Sequence, residues 1–140
     1  MSNPSYFDVA MGELGQREVV GPEHNPRILK YHQHTSLKAQ DDETPWCASF
    51  VNWCLEEACC EGTHSALARS FVSWGYAVPL GDIRVGDIVI FSRTKPWQGH
   101  VGFVDDWTEN DVRVLGGNQS NAVSLKWYPF SRLVGIRRPK

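Results

Sequence analysis

A chain of 140 residues with 41% apolar and 21% charged side chains holds one hydrophobic core and one domain. A net charge of −2 with no basic stripe sets nucleic-acid binding aside, and no apolar run approaches the roughly 18 residues of a membrane span. Six Trp, six Phe and four Tyr exclude a disordered chain, because so many large side chains need a core.

The chain is read as a single domain over 1–140, with no repeat or low-complexity linker. Met1 to Phe7 has neither a basic nor an apolar signal region, so synthesis in the cytoplasm without a Sec signal is expected. Asn3 and Pro4 open a helix that puts Phe7, Ala10, Met11 and Leu14 on one face and stops at Gly15. Asn25-Pro26 starts a short second helix bearing Ile28, Leu29 and Tyr31, and the polar residues 33–43 read as loop.

Thr44 caps the clearest helix, predicted from Pro45 to about Cys60. Its apolar positions 47, 48, 51, 54, 55 and 58 recur with helical spacing, and Gly62 follows as a stop. Thr63 is expected to cap a further helix through Trp74, ended by Gly75. From Val78 the pattern turns to strands: 88–91, 101–104, 112–115 after a turn at 108–111, then 122–127 and 133–137. Helices followed by an antiparallel sheet make an α+β fold.

Four cysteines divide by position. Cys54, Cys59 and Cys60 lie within or just after one helix and read as buried or inert thiols, because their spacing with His64 lacks a paired zinc knuckle. Cys47 lies at the start of that helix, where free N–H groups and the helix dipole favour a thiolate nucleophile over a merely buried thiol. Among His24, His32, His34, His64 and His100, only His100 follows a glycine and opens an apolar strand, which suits a general base; the alternative is an edge-strand surface residue.

The base needs an orienting group. If 101–106 and 112–117 pair across the turn, Asn118 stands opposite His100, and a one-residue slip would put Gly117 or Gln119 there instead. Asp82 and Asp87 read as strand-entry turn residues rather than catalytic carboxylates, and the basic end around Arg132 and Arg137 to Lys140 reads as a solvated terminus.

Several segments together resemble a family: Thr44-Pro45-Trp46-Cys47-Ala48-Ser49-Phe50-Val51-Asn52-Trp53, Gly62 to Ser70, Gly86-Asp87-Ile88-Val89-Ile90-Phe91, Gly99-His100-Val101-Gly102-Phe103-Val104 and Leu115-Gly116-Gly117-Asn118-Gln119-Ser120-Asn121. In this order they are similar to the papain-like NlpC/CHAP cell-wall cysteine peptidases, most closely a compact branch with phage lysins and type VI secretion amidase effectors. The resemblance implies a papain-like core, with N-terminal helices packed on a C-terminal antiparallel sheet. It implies Cys47 as nucleophile, His100 as base and Asn118 as orienting residue, with no metal or cofactor. The implied chemistry is attack on a peptidoglycan stem or cross-link amide through a thioester.

For the oxyanion hole the Cys47 N–H is expected, with Gln40 and Tyr31 as candidates for a second donor. Trp46 and Trp97 flank nucleophile and base as candidate substrate-groove residues, with core packing as their alternative; some relatives carry aspartate where this chain has Trp46. The implied partners are a wall peptide and, for an exported effector, a cognate immunity protein. The implied place of action is the periplasm or cell wall, reached by export or lysis. The competing expectations are a papain-like amidase or acyltransferase on another substrate, or an inactive wall-peptide binding module.

Overall fold

A computed structural model describes residues 3–18, 25–32, 46–93 and 99–140. Three helices, α1 (Ser5–Met11), α2 (Pro26–His32) and α3 (Cys47–Glu57), precede six strands: β1 (Tyr76–Ala77), β2 (Ile88–Ser92), β3 (Gly99–Trp107), β4 (Asp111–Gln119), β5 (Ala122–Pro129) and β6 (Leu133–Arg138). The strands form one antiparallel sheet in the order β1-β6-β2-β3-β4-β5. The expected α+β class and the packing of helices on the sheet are both observed.

Alternation along the strands gives the sheet two buried faces. Ile88, Ile90, Val101, Phe103, Leu115 and Val123 pack with Tyr6 and Phe7 of α1, Ile28 and Tyr31 of α2, and Phe50, Val51 and Leu55 of α3. On the other face, and against the expectation of a single core, Val89, Phe91, Val104, Val112, Val114, Tyr128 and Ile136 form a second core, closed by Val78 and Ile83. Burial of a large aliphatic or aromatic side chain contributes about 1.5–3 kcal/mol, so the two cores together fix where β3 meets α3.

Several boundaries differ from the sequence expectation. In α1, Pro4 occupies the cap position and the helix ends at Met11, which leaves Met11 and Leu14 each 39% exposed rather than in the core. Gly15 instead takes φ 98° and donates its N–H to the Val123 carbonyl at 3.0 Å, laying 15–18 against the start of β5. Helix α3 begins at Cys47 with Trp46 as its cap; the expected cap Thr44 and first residue Pro45 lie outside the described residues, as does the predicted loop 33–43.

At its other end α3 stops at Glu57, well short of Gly62. Cys59 adopts φ 59°, and the N–H groups of Cys59 and Cys60 bond the carbonyls of Glu56 and Leu55 at 2.9 and 2.8 Å. That is a Schellman closure with cysteine where glycine usually stands. The predicted helix after Thr63 is replaced by a 3-10 turn over Ala68–Ser73.

The cause of that replacement is Asn52, buried on α3. Its Oδ1 accepts from the N–H groups of Thr63 and His64 at 2.8 and 3.1 Å, and its Nδ2 donates to the Ala48 and Ser65 carbonyls at 3.1 and 2.9 Å. The Thr63 hydroxyl pairs with Ser70 at 2.8 Å and accepts the Ser65 N–H at 3.3 Å in a local turn. A Cβ on Gly62 would stand 2.1 Å from Asn52 Oδ1, so this bracket needs glycine at that point.

Arg138 corrects the expectation of a solvated basic terminus. Its Nε and Nη2 donate to the two Asp87 oxygens at 2.6 and 2.7 Å, and Asp87 also accepts the Arg84 N–H at 2.8 Å. Asp87 thus holds the end of β6 to the start of β2, a structural pairing in keeping with its reading as a strand-entry residue.

Candidate active site

Cys47 and His100 come from different layers and meet where α3 begins and β3 starts. Cys47 is the first residue of α3, and the backbone N–H of Val101, immediately after His100, donates to its sulfur. The thiol is 8% exposed and His100 is fully buried.

The environment corrects the expected thiolate. Burial pushes the Cys47 thiol up, against the opposing pull of the Val101 N–H, the Arg93 charge and the N–H groups of Ala48 and Cys47 itself. Burial likewise pulls His100 down to about 4; the Gln119 hydrogen bond opposes this, while Arg93, Lys126 and Arg132 add to it. Both shifts favour the uncharged forms, because desolvation opposes the pull of the helix start.

The side chain that meets His100 is Gln119, not Asn118: His100 Nε2 and Gln119 Oε1 are 2.8 Å apart. The hairpin register expected from the sequence does hold at Phe103↔Leu115 and Val104↔Val114. Farther along, Gly116 pairs with Ser124 and Gln119 with Ala122, so Gly117 and Asn118 together oppose Val123. Asn118 takes φ 57° in this bulge. One extra residue shifts the alternation and brings Gln119 onto the His100 face.

Gln119 has no freedom to turn over. Its Nε2 donates to the carbonyls of Val114 and Ser124 at 3.1 and 2.7 Å, so its Oε1 must face His100 and accept. That assigns the His100 proton to Nε2 and leaves the Nδ1 lone pair free. Nδ1 is buried and makes no hydrogen bond among the described residues.

Tyr128, which sequence reasoning missed, completes the support. Its ring stacks on His100 at 5.1 Å and on Phe91 at 4.9 Å, and its hydroxyl donates to Gln119 Oε1 at 3.3 Å. Burial pushes that hydroxyl up to about 12, so it remains a donor. The only sequence sign was the alternation of β5, which turns Tyr128 to the same face as Val112.

Other candidates part from the site. Trp46 is fully buried and cannot line a groove: its ring stacks on Tyr31, and its Nε1 donates to Glu18 at 2.5 Å. Tyr31 is no oxyanion donor, since its hydroxyl is committed to Glu13 at 2.8 Å and Glu13 is held in turn by Arg27. Trp97, Gln40, His24 and His34 lie outside the described residues. His64 is half exposed beside Glu56 and Glu61, and Cys54, Cys59 and Cys60 are free thiols. No cluster among the described residues is arranged to hold a metal ion.

A cysteine opening a helix that packs on an antiparallel sheet, with a histidine opening a central strand, defines the papain-like class of the NlpC/CHAP superfamily. A family model for the CHAP domain matches residues 39–118, and the chain belongs to that family. The peptidoglycan hydrolase RipB from Mycobacterium tuberculosis shares the fold at a TM-score of 0.61 and 13% identity, over 96% of this chain and 62% of that one. A lipoprotein-like NLP/P60 family protein from Staphylococcus aureus is similar at 0.54 and 16%, over 96% of this chain and 40% of its own. NlpC1 from Trichomonas vaginalis is similar at 0.55 and 17%, over 95% and 42% respectively. The chain thus spans 40% to 62% of the length of these structures, and at such identities the likeness is one of fold. Comparison with curated protein sequences gives no match.

Proposed function

We propose that this domain is a cysteine hydrolase that cleaves an amide bond in peptidoglycan peptides, with Cys47 as nucleophile, His100 as general base and Gln119 as orienting residue. The observation that carries the reading is the free Nδ1 of His100, its other nitrogen held by Gln119, on the residue next to the N–H that touches the Cys47 sulfur. The substrate class is supported by membership of the CHAP family and by a shared fold with a peptidoglycan hydrolase. The domain acts in the cell wall once export or lysis delivers it, a setting that suits an antibacterial effector or a phage lysin.

In the reaction, Nδ1 takes the thiol proton as sulfur attacks the amide carbonyl. The oxyanion is received by the Cys47 backbone N–H at the helix start. Collapse of the tetrahedral adduct breaks the C–N bond, and the imidazolium returns the proton to the departing amine. Water, deprotonated by Nδ1, then cleaves the thioester; the acid leaves and the thiol is restored.

The test is digestion of purified sacculi with mass analysis of the released peptides. A new free amine paired with a new carboxyl at one bond is expected from the native protein, and none from Cys47→Ala. Equal cleavage by both proteins would remove Cys47 from the mechanism.

The buried base also sets a pH profile. His100 must be neutral to accept the proton, so kcat/KM should rise with pH through about 4 rather than through the ordinary histidine value. The alkaline limb should lie above the ordinary thiol range, because burial raises Cys47. Stability follows the same sign: the unfolded chain binds the His100 proton first, so stability falls as pH drops from about 6.5 to about 4. An acid limb centred near 6.5 would show that the imidazole is not desolvated in the working enzyme.

A further inference from the structure

The catalytic end of the sheet gathers cations from several elements. Arg132 is fixed there: its Nε and Nη2 donate to the Ser92 carbonyl at 3.3 and 2.9 Å, and the Ser92 hydroxyl donates back to the Arg132 carbonyl at 3.4 Å. Ser92 follows Phe91, the register partner of His100. The anchor therefore ties Arg132 to the end of β2 that pairs with the start of β3. A guanidinium has about five N–H donors, so an open edge remains after the Ser92 contacts.

Arg93 is the exposed residue immediately after β2. Lys126 projects from β5, its Nζ 5.6 Å from the centre of the Tyr128 ring that stacks on His100. All three charges act on His100, and Arg93 acts on Cys47 as well. Carboxylates of the sheet lie elsewhere: Asp87 is bound by Arg138 at the opposite end of β2, and Asp105 by Arg113 toward the far hairpin. Asp106 and Asp111 also belong to that hairpin.

Such a grouping works against the base, since nearby cations disfavour imidazolium. In a chain of net charge −2 it is not a by-product of overall basicity. An anion bound beside the site would reverse the penalty, because it shields the cations as the imidazolium forms. Arg132, pre-oriented by Ser92, offers the paired N–H geometry that a carboxylate accepts.

Building on the reading of Cys47 and His100 as a wall-peptide hydrolase, we propose that Arg93, Lys126 and Arg132 form a cationic rim that selects peptides carrying a free carboxylate beside the scissile amide, and that discriminates against the same peptides when that carboxylate is amidated.

The test uses a synthetic stem-type tetrapeptide bearing a free side carboxylate and its carboxamide counterpart, both titrated calorimetrically into the uncleaving Cys47→Ala protein. Three exposed ion pairs of modest strength predict about ten-fold tighter binding of the acid form at low salt, shrinking as salt is raised. The added changes Arg93→Gln and Lys126→Gln, neither of which removes the Ser92 anchor, should narrow the ratio, and Arg132→Gln should narrow it further. Equal binding of the two peptides, or a ratio untouched by all three changes, overturns the rim. A preserved binding preference with no turnover of either peptide by the native protein would overturn the hydrolase reading and leave the rim standing.

Discussion

Replacing Gln119 by leucine should lower kcat by on the order of 10²–10⁴, the range set by loss of a positioned base, while Asn118→Gly should leave it within about three-fold. Leucine removes the acceptor for His100 Nε2 and the Tyr128 hydroxyl, and the donors to the Val114 and Ser124 carbonyls. With nothing to hold the Nε2 proton, the Nδ1 protonated form becomes accessible, and that tautomer presents a proton to the thiol where a lone pair is needed. Each buried polar group left unpaired also costs about 1–3 kcal/mol, so a fall in melting temperature should accompany the lost rate. Asn118 at φ 57° is in a conformation that glycine adopts without strain. The ¹⁵N shifts of the His100 ring give a direct readout of the tautomer, which should be Nε2–H in the native protein and mixed in Gln119→Leu. Equal loss in both variants would mean that the bulge does not decide which side chain serves the base.

That pair of residues also shows what the sequence could and could not reveal. The placement of Cys47 at a helix start and of His100 at a strand start was legible because each sits at a boundary written in local pattern: the start of a helical apolar period, and the step from glycine into a run of apolar residues. The α+β order was legible for the same reason. Asn118 against Gln119 was not, because the register of β3 on β4 is carried by residues 103 and 104, and a single bulge beyond them reverses the facing side chain. The cluster Gly116-Gly117-Asn118 was the available sign of a bulge, since glycine pairs and asparagine mark interruptions in strands. Other misreadings share one cause: a distant partner overrode a local preference. Asn52 binds the Thr63 and His64 N–H groups and fixes a turn where a helix start was expected, Glu18 draws the Trp46 indole inward, and Asp87 holds Arg138 out of solvent. None of those partners is near in sequence.

Gly117→Ala should be strongly damaging, costing about 1–3 kcal/mol of stability by overpacking and lowering kcat/KM by about ten-fold or more. A Cβ at 117 would lie 2.7 Å from Phe50 Cβ and from two carbons of the Trp46 ring. Neither neighbour can swing aside: Trp46 is fully buried, stacked on Tyr31 and tied to Glu18, and Phe50 packs edge-on to Tyr31 and Phe103. The whole start of α3 must therefore move off β4. Trp46 adjoins Cys47, and β4 two residues on carries Gln119, so the same displacement separates Cys47, the proposed nucleophile, from the strand that holds the partner of His100. A shift on the order of 1 Å in such a constellation is enough for a large loss of rate. Gly135→Ala is the matched control, because nothing lies within 4 Å of a Cβ there and both rate and melting temperature should stay near native. If Gly117→Ala loses stability while keeping full kcat/KM, the helix start and β4 are not coupled as the packing requires, and the positions of Cys47 and His100 must be set by β3 alone.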